Sequence, residues 1–155
     1  HHGLGVGSVV NVELPVERHA SDVRVSLRGK IKRVDQRSDL CLVSITSRHA
    51  FRIRAYKIAA ETTLVNGKKV RIFGYIMGEA MVSDVPFETG AGAVSGIPVS
   101  SFRGQAVQGM SGSPVIQNDQ LVGIQFGGSA SRIDAVTVEQ IHFFLSQGDV
   151  IGSTE

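Results

Sequence analysis

The chain is poor in the features that staple, rigidify or anchor a small protein. Cys41 is the single cysteine among 155 residues, so no internal disulfide can form. A reducing compartment, cytoplasmic in type, is the expected setting. Tryptophan is absent and aromatic residues make up 6%. Four prolines against eighteen glycines suit many tight turns and exclude a proline-rich linker. No apolar run reaches membrane-spanning length, and no secretory leader is visible. Charge of one sign is scarce as well: the formal net charge is +2, too little to argue for nucleic acid without a localised patch. What is present is a 42% apolar, 19% charged composition, which excludes the disordered class. The length favours one domain with a core of its own.

Two basic clusters come nearest to a patch: Arg28, Lys30, Lys32, Arg33 and Arg37, then Arg48, Arg52, Arg54 and Lys57. Arg52 and Arg54 alternate with Phe51 and Ile53, the pattern of a strand's solvated face. Nucleic acid is therefore not an expected partner. Cys41 lies in the run Leu40-Cys41-Leu42-Val43, where a buried, inert thiol is expected. His1-His2 has the look of a purification-tag remnant.

Short apolar segments recur between turn residues, at 8–14, 22–27, 40–45, 51–55, 69–73, 81–87, 114–117, 121–126 and 133–136. Val23, Val25 and Leu27 have the period of two of a half-buried strand. Asn66-Gly67 predicts a two-residue hairpin, and Asn118-Asp119 a turn between the strands at 114 and 121. One helix is predicted, with Thr137 as N-cap and Gln140 at capping-box spacing. Val138, Ile141, Phe144 and Leu145 form its apolar stripe, Gly148 its C-cap, and His142 faces solvent. Many strands with one C-terminal helix describe an all-β barrel or sandwich, which says nothing of chemistry by itself.

Chemistry is carried by Gly109-Met110-Ser111-Gly112-Ser113-Pro114. A serine hydroxyl is a weak nucleophile, so a hydrolase exposes it on a sharp turn and surrounds it with backbone donors. Gly109 permits a backbone conformation that lets its own N–H and that of Ser111 form an oxyanion hole. Gly112 leaves room beside the hydroxyl, and Pro114 fixes the exit into a strand. The nucleophile elbow of α/β-hydrolases needs a helix at that point, which Pro114 and the β-branched residues after it disfavour.

Residues 104–128 resemble the nucleophile half of chymotrypsin-like serine proteases, most of all the disulfide-free viral and bacterial branches. Val70-Arg71-Ile72-Phe73-Gly74-Tyr75 with Gly78-Glu79 resembles the Gly-Tyr-Pro-x-Gly segment of those branches, with Ile76 in place of the proline. The resemblance implies an all-β, trypsin-like double β-barrel with a short C-terminal helix, residues 1–155 forming a single peptidase domain. It also implies a triad in the order His, Asp, Ser. Asp39, before the apolar run at 40–43, matches the family's acid; Asp35 is its competitor. A part-buried carboxylate is expected there, because it must hold the imidazole tautomer.

The base must precede Asp39, which leaves His19, His1 and His2, with His49 out of order. His19 fits best. It stands twenty residues before Asp39, a short gap, and follows Glu17-Arg18 where the family has a Thr-Ala-type pair. The resemblance places the first substrate pocket at Gln105, Ala106, Gln125, Phe126 and Gly127, which carry no charge. Cleavage after Lys or Arg is accordingly not expected. Met110 stands where digestive members have the aspartate of their zymogen switch, so no such activation is expected.

Two functions follow as expectations. The first is a serine endopeptidase that uses His19, Asp39 and Ser111, with the Gly109 and Ser111 amides as oxyanion hole. It needs no metal or cofactor and acts on a polypeptide, possible substrates including its own viral polyprotein in the host cytoplasm. The alternative is a catalytically inactive trypsin-fold binding or structural module. Oligomeric state is not readable from the sequence.

Overall fold

The computed structural model describes residues 4–15, 24–45, 55–61, 64–76 and 79–148 and divides into two compact units. The first comprises His1–Ala55 and Gly148–Glu155. Its strands β1 (Val9–Pro15), β2 (Arg24–Asp35) and β3 (Leu40–Ile45) form an antiparallel sheet in the order β1-β2-β3. On β2, Leu27, Gly29 and Ile31 are buried while Arg28, Lys30 and Lys32 are exposed. That alternation puts Arg28, Lys30 and Lys32 of the first basic cluster on the polar face of a strand. The same alternation corrects the expectation for Cys41: Leu40 is buried, so its neighbour Cys41 turns outward and is exposed.

The second unit, Tyr56–Gln147, contains the remaining elements. These are β4 (Lys57–Ile58), β5 (Lys69–Ile76), β6 (Glu79–Val94), β7 (Ile97–Arg103), β8 (Pro114–Gln117), β9 (Gln120–Gly128), β10 (Arg132–Thr137) and α1 (Val138–Ser146). Strands run in the order β10-β7-β6-β5-β8-β9, and β10 pairs with β9 to close a six-stranded barrel. β4 adds in parallel to β9. Ile72, Phe102, Val115, Val122, Ile133 and Ala135, each at most 1% exposed, fill the interior. Phe87 packs on Phe102 with ring centroids 5.6 Å apart.

Turn chemistry sets the hairpins. Asn118 and Asp119 have φ of 50° and 58°, and join β8 to β9 as predicted. Ser95 and Gly96, at 53° and 79°, do the same between β6 and β7. β7 is absent from the sequence-based reading, because its Pro98, Ser100 and Ser101 mask the strand pattern. Asn66-Gly67 makes a turn but no hairpin: it precedes β5, whose partner on that side is β6 through Gly67 N–H to the Phe87 carbonyl.

On α1, the Thr137 side chain accepts from the Gln140 N–H at 3.3 Å, confirming the N-cap. Val138, Ile141 and Phe144 are buried, but Leu145 is 40% exposed. The C-cap is Gln147, one residue before the glycine expected. His142, exposed as predicted, donates Nε2–H to the Ala59 carbonyl at 2.7 Å and so ties the helix to the segment after β4. No helix among the described residues is long and apolar enough to cross a membrane.

Candidate active site

Ser111 sits on the turn between the 104–108 segment and β8, and the turn is built by its neighbours. Gly109 has φ 97° and Gly112 φ 90°, conformations that a side chain resists. Met110, 1% exposed, buries its side chain as an anchor, while Ser111 beside it is exposed. Three bonds then lock the turn to itself and to β9. Ser113 N–H donates to the Met110 carbonyl at 3.0 Å, Gly112 N–H to the Gln125 carbonyl at 2.7 Å, and Gln125 N–H to the Ser113 carbonyl at 2.9 Å.

The hydroxyl of Ser111 donates to the Phe126 carbonyl at 3.3 Å, a long bond that rotation about one torsion breaks. Neither the Gly109 nor the Ser111 N–H donates to another described residue. The turn therefore offers an exposed hydroxyl, with Gly109 and Ser111 amides that bond no described residue; acyl transfer calls for a hydroxyl with backbone donors beside it.

Gly74 on β5 is a contributor the sequence reading leaves without a role. A Cβ at that position would stand 2.7 Å from Ser113 Oγ and 3.3 Å from Met110 Cγ. The nucleophile turn thus lies against bare backbone on β5. The glycine of the Gly74-Tyr75 motif was the available signal, though nothing in sequence ties it to residue 113.

The residues assigned to the substrate pocket fall into two adjoining segments. Gln125, Phe126 and Gly127 follow one another on β9, with Gln125 1% exposed and the other two half-buried. Gln105 is exposed and Ala106 half-buried, and this segment is pinned to the end of β9 by Ala106 N–H on the Ser129 carbonyl at 2.9 Å. Gln125 also carries two of the turn's backbone bonds, a structural part not expected of it.

In the other unit, Asp39 ends the turn between β2 and β3 with φ 53°, and its side chain is exposed rather than part-buried. Asp35 is committed to that same turn. It accepts from the Ser38 hydroxyl and from the Arg37 N–H, the latter at 3.0 Å. The Ser38 hydroxyl, then the nearby backbone N–H groups and the Arg37 charge, hold the Asp35 carboxyl below its usual range. No described residue bonds the Asp39 carboxylate, which leaves it the freer acid of the two. His19 lies outside the described residues. Among the described residues, no three His, Cys, Asp or Glu side chains gather as metal ligands.

Comparison with known proteins agrees with this geometry. The family described as the trypsin-like peptidase domain matches residues 6–124, more than half of the chain. The chain belongs to the trypsin-like peptidase family. Membership makes this peptidase domain a serine endopeptidase by class, a hydrolase of peptide bonds.

Solved structures with the same fold include Rv3671c of M. tuberculosis H37Rv, 20% identical with a TM-score of 0.64 over 84% of this chain and 67% of that one. Deg5 is 17% identical at TM-score 0.66, over 86% and 65% of the two chains. The MamO protease domain from Magnetospirillum magneticum is 19% identical at 0.62, over 91% and 84%. The peptidase domain thus spans about two-thirds of the length of the first two. No curated protein sequence matches it significantly.

Proposed function

We propose that residues 1–155 act as a single peptidase domain in which Ser111 attacks a peptide carbonyl. His19 removes the Ser111 proton and later delivers it to the leaving amine, while Asp39 orients the imidazole and balances its charge. The carbonyl oxygen becomes an oxyanion that the Gly109 and Ser111 amides receive, each contributing on the order of 3 kcal/mol to the transition state. The observation that carries this reading is the exposed hydroxyl beside two amides that bond no described residue. The mechanism uses side chains and backbone alone, without metal or cofactor.

The substrate we propose is a polypeptide of the same compartment, cytoplasmic in type, consistent with the single cysteine. Processing of a viral polyprotein is the narrower form of this proposal; among viral proteins, a human pathogenic astrovirus serine protease shares the fold at 14% identity and a TM-score of 0.56. The bacterial neighbours, at 0.64 and 0.62, weigh the other way. A second reading, a binding module without a working triad, is favoured by the Glu17-Arg18 context of His19.

A fluorophosphonate probe separates the two. Labelling of the wild type that disappears in Ser111→Ala supports the peptidase; no labelling, or equal labelling of both, removes it. Peptide cleavage by His19→Ala then tests the base, and unchanged activity would mean another group takes the proton.

A further inference from the structure

Asp134 is a buried carboxylate that the reaction above does not use, 3% exposed in the middle of β10. Ser101 on β7 and Gly127 on β9 both stand directly opposite it. Directly opposed residues of antiparallel strands project to one face. The Ser101 hydroxyl accordingly donates to Asp134 Oδ1 at 2.8 Å. On the other side Gly127 leaves that face open, since a Cβ built there meets nothing within 4 Å.

Arg132, two residues before Asp134 and on the same face, sets its Nε 3.0 Å from Oδ1 and 3.2 Å from Oδ2. Arg132 in turn stands opposite Arg103, whose Nε is held by Glu88 at 2.8 Å. Two like charges in register repel, and each arginine is fixed by its own carboxylate.

Unused bonding capacity decides which ligand this face suits. Asp134 already has a hydroxyl and a guanidinium, so little of it is left for a basic side chain. Arg132 spends only Nε on Asp134. No described residue takes its terminal nitrogens, and its side chain is 52% exposed. Those nitrogens form the planar fork that matches a carboxylate.

We propose that Arg132, positioned by Asp134, is a specificity-determining residue that takes an acidic substrate side chain on the open face beside Gly127. The inference rests on the peptidase reading. Gly127 is one of the residues at which the family resemblance places the first substrate pocket, and it follows Phe126, whose carbonyl receives the Ser111 hydroxyl; on that reading a side chain at this place belongs to the residue before the scissile bond. The charge is supplied from β10, outside the segments that the sequence assigns to the pocket.

The test compares acetyl-Ala-Ala-Ala-Xaa-aminomethylcoumarin peptides with Xaa as Glu, Gln or Lys, alongside fluorophosphonate labelling of the same samples. Wild type should prefer Glu to Gln by about tenfold or more in kcat/KM, the scale of a charge-assisted bond. Arg132→Gln should abolish that preference while labelling stays within about twofold, and Arg132→Lys should restore part of it. Asp134→Asn should weaken the preference through KM. Arg132→Gln, at a half-exposed site, decides the matter if Asp134→Asn does not fold.

Equal cleavage of Glu and Gln, preference for Lys, or a Glu preference that survives Arg132→Gln would overturn the proposal while leaving the peptidase intact. Absence of labelling in wild type would overturn both.

Discussion

Replacing Gly74 by alanine tests whether the nucleophile turn is set by the bare backbone beneath it. The added Cβ lands 2.7 Å from Ser113 Oγ, about 0.7 Å short of the 3.4 Å at which ordinary contact begins. Rotating the Ser113 side chain relieves part of the clash at small cost. It does nothing for Met110, whose Cγ and Cε stand at 3.3 and 3.4 Å and whose side chain is 1% exposed. The remaining relief comes from lifting the turn off β5, which stretches the Gly112–Gln125 and Gln125–Ser113 bonds.

Overpacking of this kind costs about 1–2 kcal/mol. For a chain of this size, that lowers the melting temperature by roughly 2–8 °C. The kinetic effect should be larger in proportion, because a shift approaching 1 Å at a nucleophile costs on the order of a hundredfold in rate. The assay pairs thermal unfolding with the second-order rate of fluorophosphonate labelling at Ser111. We expect a modest loss of stability with at least a tenfold slower labelling rate. Wild-type labelling, with the melting temperature lowered or not, would refute the claim that Gly74 positions the turn.

Gly112→Ala isolates conformation from contact, since its Cβ meets nothing within 4 Å while φ is 90°. It should cost about 1–2 kcal/mol of stability and slow labelling, measured by urea unfolding and the same probe. Ser38→Ala removes the bond that chiefly lowers the Asp35 pKa, and should cost about 1 kcal/mol at neutral pH. A depressed carboxyl pKa stabilises the fold above the unfolded value, and that contribution is lost as pH falls through the folded one. The difference between wild type and Ser38→Ala should therefore shrink below about pH 4, and an equal difference at pH 7 and pH 3 would contradict it. Thr137→Ala should lower stability by about 1 kcal/mol through loss of the helix cap, read as a melting shift of roughly 2–4 °C.

Where one segment of sequence carries its own signal, structure follows it closely. Leu40–Ile45 and Pro114–Gln117 have the predicted bounds, and the Thr137 cap lies three residues from its donor. The nucleophile turn is legible for the same reason: its glycines, serine and proline are contiguous. What escapes is anything decided by register. β7 buries Ser100 and Ser101, the latter bonded across the sheet to Asp134, so no apolar pattern marks it.

Asp134 reads as an ordinary charge in a strand until Ser101 and Gly127 are found opposite it. Cys41 misleads for the converse reason, since an apolar run suggests burial throughout whereas on this strand Leu40 is buried, Cys41 is exposed and the residues after it are half-buried. Asp39 is legible as a position before a strand, but its exposure depends on a turn whose bonds go to Asp35 instead.

The closed barrel is drawn from one uninterrupted stretch of chain, Tyr56–Gln147. That contiguity separates two inheritances. The hydroxyl and the donors that would greet an oxyanion are encoded in the barrel's own folding, whereas the candidate base and acid are encoded in a different stretch. Changes at positions 19 or 39 leave every residue of that stretch as it was, the nucleophile turn and its supports included. Selection can thus act on the candidate base and acid separately from the residues that build the Ser111 turn.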